Sequence, residues 1–236
     1  MTNSKELISK AKNFYENKNY VKAKSYLMTA LEDNQMNKGI KLSIYVLISD
    51  IYYKINDFDN AENYLLKSIN QGKSSSEIFN TLGNIYLKKK DYKNSEKSYI
   101  KSAGIDENNE AASTNLAILY HNLGKHKEAK FFYKKVLEIN PKNIGALYNL
   151  SNIDQSVIGK KTTETLKKLT NKKVLSNFNL ASCFYLLSDV EKKKKNFNKE
   201  INFINKANDY SFKSNEKTNL QLNDYWLNNI PKKFNK

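Results

Sequence analysis

The chain has 236 residues, and its composition limits the classes of fold and function open to it. It contains 7 glycines and 2 prolines, which is low for a sheet protein with many turns. All 40 basic residues are lysines, and they leave a formal net charge of +16. Lysine lacks the planar fork with which arginine clamps phosphates or reads guanine edges, so the charge alone does not predict nucleic-acid binding.

Other common sites and segments are not predicted either. The glycines are isolated from one another, so we expect no glycine-rich phosphate loop. The single cysteine, Cys183, lies in an apolar run and excludes an internal disulfide. The most apolar stretch, 42–53, contains Asp50 and is too short to span a bilayer. Because no basic and then apolar start precedes Leu7, we expect no signal peptide and a cytoplasmic protein.

Residue types that carry metal or acid–base chemistry do not form a recognisable site. His121 and His126 lie five residues apart across a predicted turn, without cysteines or acids at metal-ligand spacing. The neighbouring acids Asp57 and Asp59 fit a turn better than general acid–base work. We therefore predict no catalytic residue, no metal and no cofactor.

The first part of the chain reads as two helical hairpins, over 4–33 and 42–70. Ala23 and Ala61 stand at matching places in their second helices. The step between them is 38 residues, and we assign its excess over the later steps to the loop around 37–39.

The next two hairpins, over 76–103 and 110–139, repeat one pattern in register. Their first helices carry Phe79, Leu82, Gly83 and Tyr86, and then Ser113, Leu116, Ala117 and Tyr120. Their second helices pair a small residue with an aromatic, Ser95 with Tyr99 and Ala129 with Tyr133. The steps from Ala61 to Ser95 and from Ser95 to Ala129 are each 34 residues.

A 34-residue step of this kind resembles the tetratricopeptide repeat (TPR) family, and Pro141 stands where that pattern has its terminal proline. The small residues allow two helices to cross closely, and the aromatics fill the space between hairpins. One hairpin cannot bury its apolar face alone, so stacking supplies the core. The resemblance implies an all-α fold, a right-handed TPR superhelix (α-solenoid) of about five to six hairpins.

The pattern weakens after Pro141. We interpret 144–173 as a degenerate fifth hairpin, in which Asp154 stands where a tyrosine is expected, and 178–210 as a sixth. The TPR array then spans 4–210. Residues 211–236 form a polar tail or linker with a short apolar helix around Trp226, the only tryptophan.

The segment 177–231 carries a second resemblance. Its degenerate repeat, followed by the phrase Asn205–Asn208 and a polar linker, is similar to bacterial proteins that join TPRs to a sulfotransferase domain. The nucleotide loop of that domain has no match in this chain, so none of its functional residues is carried over. This resemblance implies the N-terminal repeat region of a sulfotransferase whose catalytic domain is absent from this chain.

In the TPR family the first helices line a concave groove, and the residues that point into it form the predicted peptide site. These residues are Asp50, Tyr53, Asn80, Asn84, Asn115, Ile118, His121, Tyr148, Asn149 and Asn152. An asparagine amide can pair with the backbone of an extended peptide without reading its sequence. Asn115 and Asn149 resemble the asparagine ladder of O-linked N-acetylglucosamine transferases. A chain rich in asparagine would also show such residues by composition alone, and both interpretations stay open.

These observations together predict a non-catalytic scaffold that binds a protein or peptide segment in the groove, as the recruitment module of a larger protein. The lysine surplus favours an acidic partner. The clamp that binds chaperone tails needs cations where Gly145 and Asn149 stand, so we do not predict it. The alternatives are the repeat region of a sulfotransferase and a basic nucleic-acid-binding protein.

Overall fold

A computed structural model describes residues 4–171 and 175–215. Within these residues it contains twelve α-helices, one short 3-10 helix and no strand. The predicted apolar helix around Trp226 lies outside the described residues. Contacts between α-carbons divide the chain into an N-terminal unit, 1–124, and a C-terminal unit, 125–236.

Seven helices form the N-terminal unit. They are α1 (Ser4–Glu16), α2 (Tyr20–Ala30), α3 (Lys38–Lys54), α4 (Phe58–Asn70), α5 (Ser76–Lys88), α6 (Tyr92–Ile105) and α7 (Glu110–Asn122). The pairs α1–α2, α3–α4 and α5–α6 pack as hairpins, and α7 packs on α6. Because each hairpin buries its apolar face against the next, the core runs along the stack.

The turns inside these hairpins share one local design. A residue with positive φ, at Lys18, Asn56 and Lys90, reverses the chain after the first helix. An asparagine or aspartate follows it and caps the second helix by accepting a backbone N–H. The capping residues are Asn19, Asp57 and Asp91. Such a cap satisfies a backbone donor that the first helical turn leaves without a partner.

The extra residues before the second hairpin do not extend a loop, as we expected, but lengthen a helix. α3 begins at Lys38 and runs for 17 residues. The side chain of Asn37 caps it by accepting the N–H of Gly39 at 2.8 Å. The cap lets the helix begin inside the segment 37–39 that the sequence had assigned to a loop.

The small residues of the pattern mark close helix crossings, as predicted. A Cβ at Gly83 would lie 2.4 Å from the ring of Tyr99, so α5 and α6 approach within a distance that only glycine allows. The Ser95 hydroxyl, also on α6, donates to the Gly83 carbonyl at 2.9 Å. In the preceding hairpin the Ser49 hydroxyl donates to the Ala61 carbonyl at 2.6 Å.

The C-terminal unit contains the remaining helices. They are α8 (His126–Ile139), α9 (Ile144–Ile153), the 3-10 turn (Gln155–Val157), α10 (Lys160–Thr170), α11 (Asn177–Lys193) and α12 (Phe197–Ser214). α11 and α12 pack as a close hairpin, and α9 packs against α8 and α11. α12 ends four residues beyond 210, where we expected the repeats to end.

The fifth hairpin is open. α9 has only ten residues and ends at Ile153; the carboxylate of the next residue, Asp154, pairs with the Lys130 ammonium of α8 at 2.7 Å. The chain then makes the 3-10 turn, and α10 packs on α11 rather than closely against α9. The side of α9 that a regular second helix would cover therefore borders a groove.

Candidate peptide-binding site

Three of the predicted groove residues form a cluster of side-chain amides in the N-terminal unit. The Asn115 amide nitrogen donates to Asn80 Oδ1 at 2.9 Å and to Asn84 Oδ1 at 3.2 Å. Asn80 and Asn84 lie one turn apart on α5, so they share a helix face, and Asn115 comes from α7. All three side chains are half-buried. We call Asn80, Asn84 and Asn115 the amide cluster.

A buried tyrosine fixes the orientation of this cluster. The Tyr99 hydroxyl donates to Asn84 Oδ1 at 2.7 Å. Desolvation raises the pKa of Tyr99 to about 12, so the hydroxyl keeps its proton and remains a donor even at moderately alkaline pH. Because Oδ1 of Asn84 accepts from both Tyr99 and Asn115, its amide nitrogen must lie on the other side.

The amide cluster retains unused hydrogen-bonding capacity. An asparagine side chain offers two N–H donors and one acceptor oxygen. Asn115 uses its amide nitrogen for both internal bonds. Among the residues that the structure describes, its Oδ1 and the amide nitrogens of Asn80 and Asn84 make no hydrogen bond. These atoms can pair with the carbonyl and N–H groups of an incoming peptide backbone.

Two further predicted residues, Asp50 and Tyr53, interact electrostatically with each other, and Tyr53 interacts with Tyr99. The Asp50 carboxylate accepts the Tyr15 hydroxyl. Desolvation and then the Asp50 charge raise the pKa of Tyr53, whose ring meets Phe58 edge-on at 5.6 Å. Tyr53 in turn adds to the raised pKa of Tyr99, after desolvation. The Asp50 carboxylate therefore already accepts a hydrogen bond from within the chain.

The other predicted residues are distributed over both units. Ile118 and His121 are half-buried on α7. In the C-terminal unit the side chain of Asn149 bonds to Tyr133, and the Tyr148 ring lies 6.2 Å from that of Tyr185. The third predicted residue there, Asn152, is exposed. The structure thus joins the three asparagines of the cluster and leaves these five residues outside it.

Sequence reasoning missed the part played by tyrosine hydroxyls. We assigned Tyr99 to packing between hairpins; its ring is fully buried and lies against Gly83 of its own hairpin. Its hydroxyl, however, reaches the amide cluster, and Tyr15 reaches Asp50 in the same way. The available signal was the choice of tyrosine rather than phenylalanine at these aromatic positions, because a buried hydroxyl needs a partner.

The described residues offer no reactive thiol, metal site or membrane-spanning helix. Cys183 is buried, and desolvation raises the pKa of its thiol to about 11. In the described part of the chain, no three or more His, Cys, Asp or Glu side chains gather closely enough to hold a metal ion. No helix within 4–171 or 175–215 combines the length and apolarity needed to cross a membrane.

Stacked helical hairpins with glycine, alanine and serine at the crossings define a helical-repeat protein. Family models of the tetratricopeptide repeat match residues 42–71, 76–109 and 111–143. The chain therefore carries tetratricopeptide repeats, as its 34-residue step predicted. No protein of curated function matches it in sequence.

Solved structures share this fold. PilF of Pseudomonas aeruginosa is similar at a TM-score of 0.63 and 12% identity, over 85% of this chain and 88% of that one. A tetratricopeptide repeat protein from Parabacteroides merdae is similar at 0.58 and 14%, over 88% and 93%. YrrB, described as a TPR protein with an unusual peptide-binding site, is similar at 0.51 and 17%, over 86% and 84%. At identities this low, the structural similarity shows a common TPR fold and nothing more specific.

Proposed function

We propose that this chain is a non-catalytic scaffold that binds a peptide segment of another protein through the amide cluster. The observation that carries the proposal is the pair of bonds from Asn115 to Asn80 and Asn84, at 2.9 and 3.2 Å. They hold three amides in one place and leave an acceptor and two nitrogens for a ligand. Amides that were only a consequence of composition would not need to converge from α5 and α7.

The spacing of the repeats suits an extended ligand. Packed helices lie about 10 Å apart, and an extended chain advances about 3.3 Å per residue. One repeat therefore spans roughly three ligand residues. The cluster would hold the peptide backbone, while Tyr53 and Ile118 would supply apolar contact. The fold similarity to YrrB, itself described as having a peptide-binding site, supports this interpretation.

The wider setting of the scaffold is part of the same proposal. We infer a recruitment module within a larger protein or assembly, acting in the cytoplasm on a partner with acidic character. The similarity of 177–231 to TPR–sulfotransferase proteins stays a prediction, and residues 216–231 lie outside the described part of the chain. Sulfate transfer from an activated donor by the purified chain would contradict the non-catalytic assignment.

The test is a peptide-array screen with the full chain, followed by measurement of the best ligand on a triple variant. The variant changes Asn80, Asn84 and Asn115 to Ala. Each lost hydrogen bond should weaken binding by about 0.5–1.5 kcal/mol. The matched control changes three exposed asparagines of the same unit, Asn34→Ala, Asn70→Ala and Asn122→Ala, and should bind as the parent does.

Circular dichroism must show that both triple variants keep the parent helix content. If the cluster variant is folded and binds the best ligand unchanged, the amides do not form the site. If the control loses as much affinity as the cluster variant, the effect is not local and the proposal also fails.

A further inference from the structure

The groove beside the open fifth hairpin is a second candidate surface, separate from the amide cluster. It lies wholly within the C-terminal unit and has a volume of about 430 Å³. That volume is within the range of ligand pockets in proteins. α8, α9 and α10 contribute its apolar lining, with Leu137, Ile144, Leu147, Leu150, Leu166 and Leu169.

The hydroxyl groups of the lining already donate to backbone carbonyls of the chain. The Thr165 hydroxyl donates to the Lys161 carbonyl at 3.0 Å, and that of Thr162 donates to the Val157 carbonyl at 3.4 Å. An extended peptide in this groove would leave its backbone N–H and C=O groups without partners, which is costly. An α-helix satisfies its own backbone and presents only side chains. The lining therefore favours a helical occupant.

The charges at the rim of the groove favour a helix with acidic residues on both sides of its apolar row. Lys134 of α8 and Lys161 of α10 are exposed where they border the groove, together with one acid, Glu138. Neither lysine forms an ion pair within the described residues. The described part of the C-terminal unit holds 17 lysines against 8 acids, so the field around the groove is positive. A partner with carboxylates beside its apolar row is complementary to this rim.

We propose that the groove between α8, α9 and α10 binds an amphipathic helix of another protein. Its leucine-like side chains enter the groove, and its flanking carboxylates pair with Lys134 and Lys161. This is the helix-in-groove mode of recognition, with anchors at i, i+3, i+4 and i+7. The site is distinct from the amide cluster in its unit, its chemistry and the conformation of its ligand.

The probe for this proposal is a synthetic peptide of roughly 18 residues, long enough to hold a helix. It carries Leu at i, i+3, i+4 and i+7, Glu on both flanks and a fluorescent label. Anisotropy titration with the full chain should show saturable binding. A scrambled peptide of the same composition should bind at least about tenfold more weakly, because it lacks the continuous apolar face.

Charge reversal tests the rim without disturbing the core. Lys134→Glu with Lys161→Glu should weaken binding of the acidic probe by about tenfold, and a probe with Lys in place of Glu should bind this variant better than the parent. The control, Lys127→Glu with Lys192→Glu, makes the same change in net charge at exposed lysines away from the groove. It should alter the affinity by less than about twofold.

Three outcomes would overturn the proposal. They are equal binding of the scrambled peptide, an equal loss in the control variant, and a gain of more than about tenfold when 216–236 are removed. The last would show that the chain's own tail occupies the groove. The variant lacking the three cluster asparagines should bind the helical probe normally, so failure of this proposal and failure of the proposed function are distinguishable.

Discussion

At the scale of single residues, the absence of a side chain at Gly83 links the packing of α5 and α6 to the amide cluster. Gly83 lets the Tyr99 ring lie against the backbone of α5, and that position brings the Tyr99 hydroxyl to Asn84. A bulkier residue at 83 would push the ring away and withdraw the hydroxyl. Packing and the proposed site are therefore linked through a single side chain.

Changing Gly83→Ala should therefore destabilise the fold. The new Cβ would lie 2.4 Å from two atoms of the Tyr99 ring. Overpacking of this kind costs about 1–3 kcal/mol, and urea unfolding followed by circular dichroism measures it. Gly104→Ala is the control, because its added Cβ would meet no atom within 4 Å beyond its chain neighbours and the adjacent backbone of α6. It sits inside α6, where alanine is the better helix former, so an equal loss there would contradict the close-crossing argument.

A buried hydroxyl without a partner gives a prediction of the opposite sign. Within the described residues, Ser113 Oγ is buried and makes no hydrogen bond. Ser113→Ala should raise the free energy of unfolding by up to about 1–3 kcal/mol, because it removes a desolvated polar group.

The matched variant for that experiment is Ser102→Ala. The Ser102 hydroxyl is equally buried but donates to the Ser76 carbonyl at 2.6 Å. Its loss should lower stability by about 0.5–1.5 kcal/mol. If both variants shifted the urea midpoint in the same direction, hydrogen bonding would not be what distinguishes these serines.

At the scale of elements, two neighbouring helices of the C-terminal unit, α10 and α11, differ in how firmly they are packed. α11 buries nine of its 17 residues, whereas α10 buries only Thr163 and Leu166. α10 has no side-chain cap at its first turn, because Gly159 stands at that place. It also borders the groove rather than a covering helix. Local opening is favoured where few apolar contacts must be broken.

Hydrogen exchange should therefore separate these helices. We expect the backbone amides of α10 to exchange well before those of α11, by a factor of at least about ten, when followed by mass spectrometry. Binding of the amphipathic probe should slow exchange in α10 and leave α5 unchanged. Equal protection of α10 and α11 in the free chain would contradict the difference in packing.

At the scale of the whole molecule, the buried Tyr99 and Tyr133 and the half-buried Tyr86 make stability depend on alkaline pH. Desolvation raises the pKa values of Tyr86, Tyr99 and Tyr133 to about 12 each, and at Tyr86 the hydrogen bond to Glu62 adds to it. Unfolded tyrosine ionises near pH 10. Since the folded pKa is the higher one, the stabilisation is complete below about pH 10 and is lost as pH rises toward 12.

The expected result is a loss of helicity between about pH 10 and 12, together with tyrosinate absorbance, in a pH titration. Lysines also titrate there, so variants are needed to assign the cause. Tyr99→Phe should move the transition to higher pH, whereas Tyr92→Phe, at an exposed ring, should leave it unchanged. Ionisation of every tyrosine near pH 10 with helicity intact would contradict this account.

The sequence alone determined the repeat, because a 34-residue step with small residues at fixed places packs as stacked helical hairpins. Gly83 and Ser95 were assigned to close crossings, and the structure shows both there. These features depend on local periodicity and on side-chain size, which are readable from neighbours along the chain.

Tertiary structure decided the features that depend on partners distant in sequence. Asn115 was a candidate from its position, but its bonds to Asn80 and Asn84 exist only because α7 lies beside α5. Asp154 signalled an irregular hairpin, yet the groove follows from α10 packing on α11 rather than on α9. A short helix can bury its apolar face against any of several neighbouring helices, and only the assembled fold determines which one it packs on.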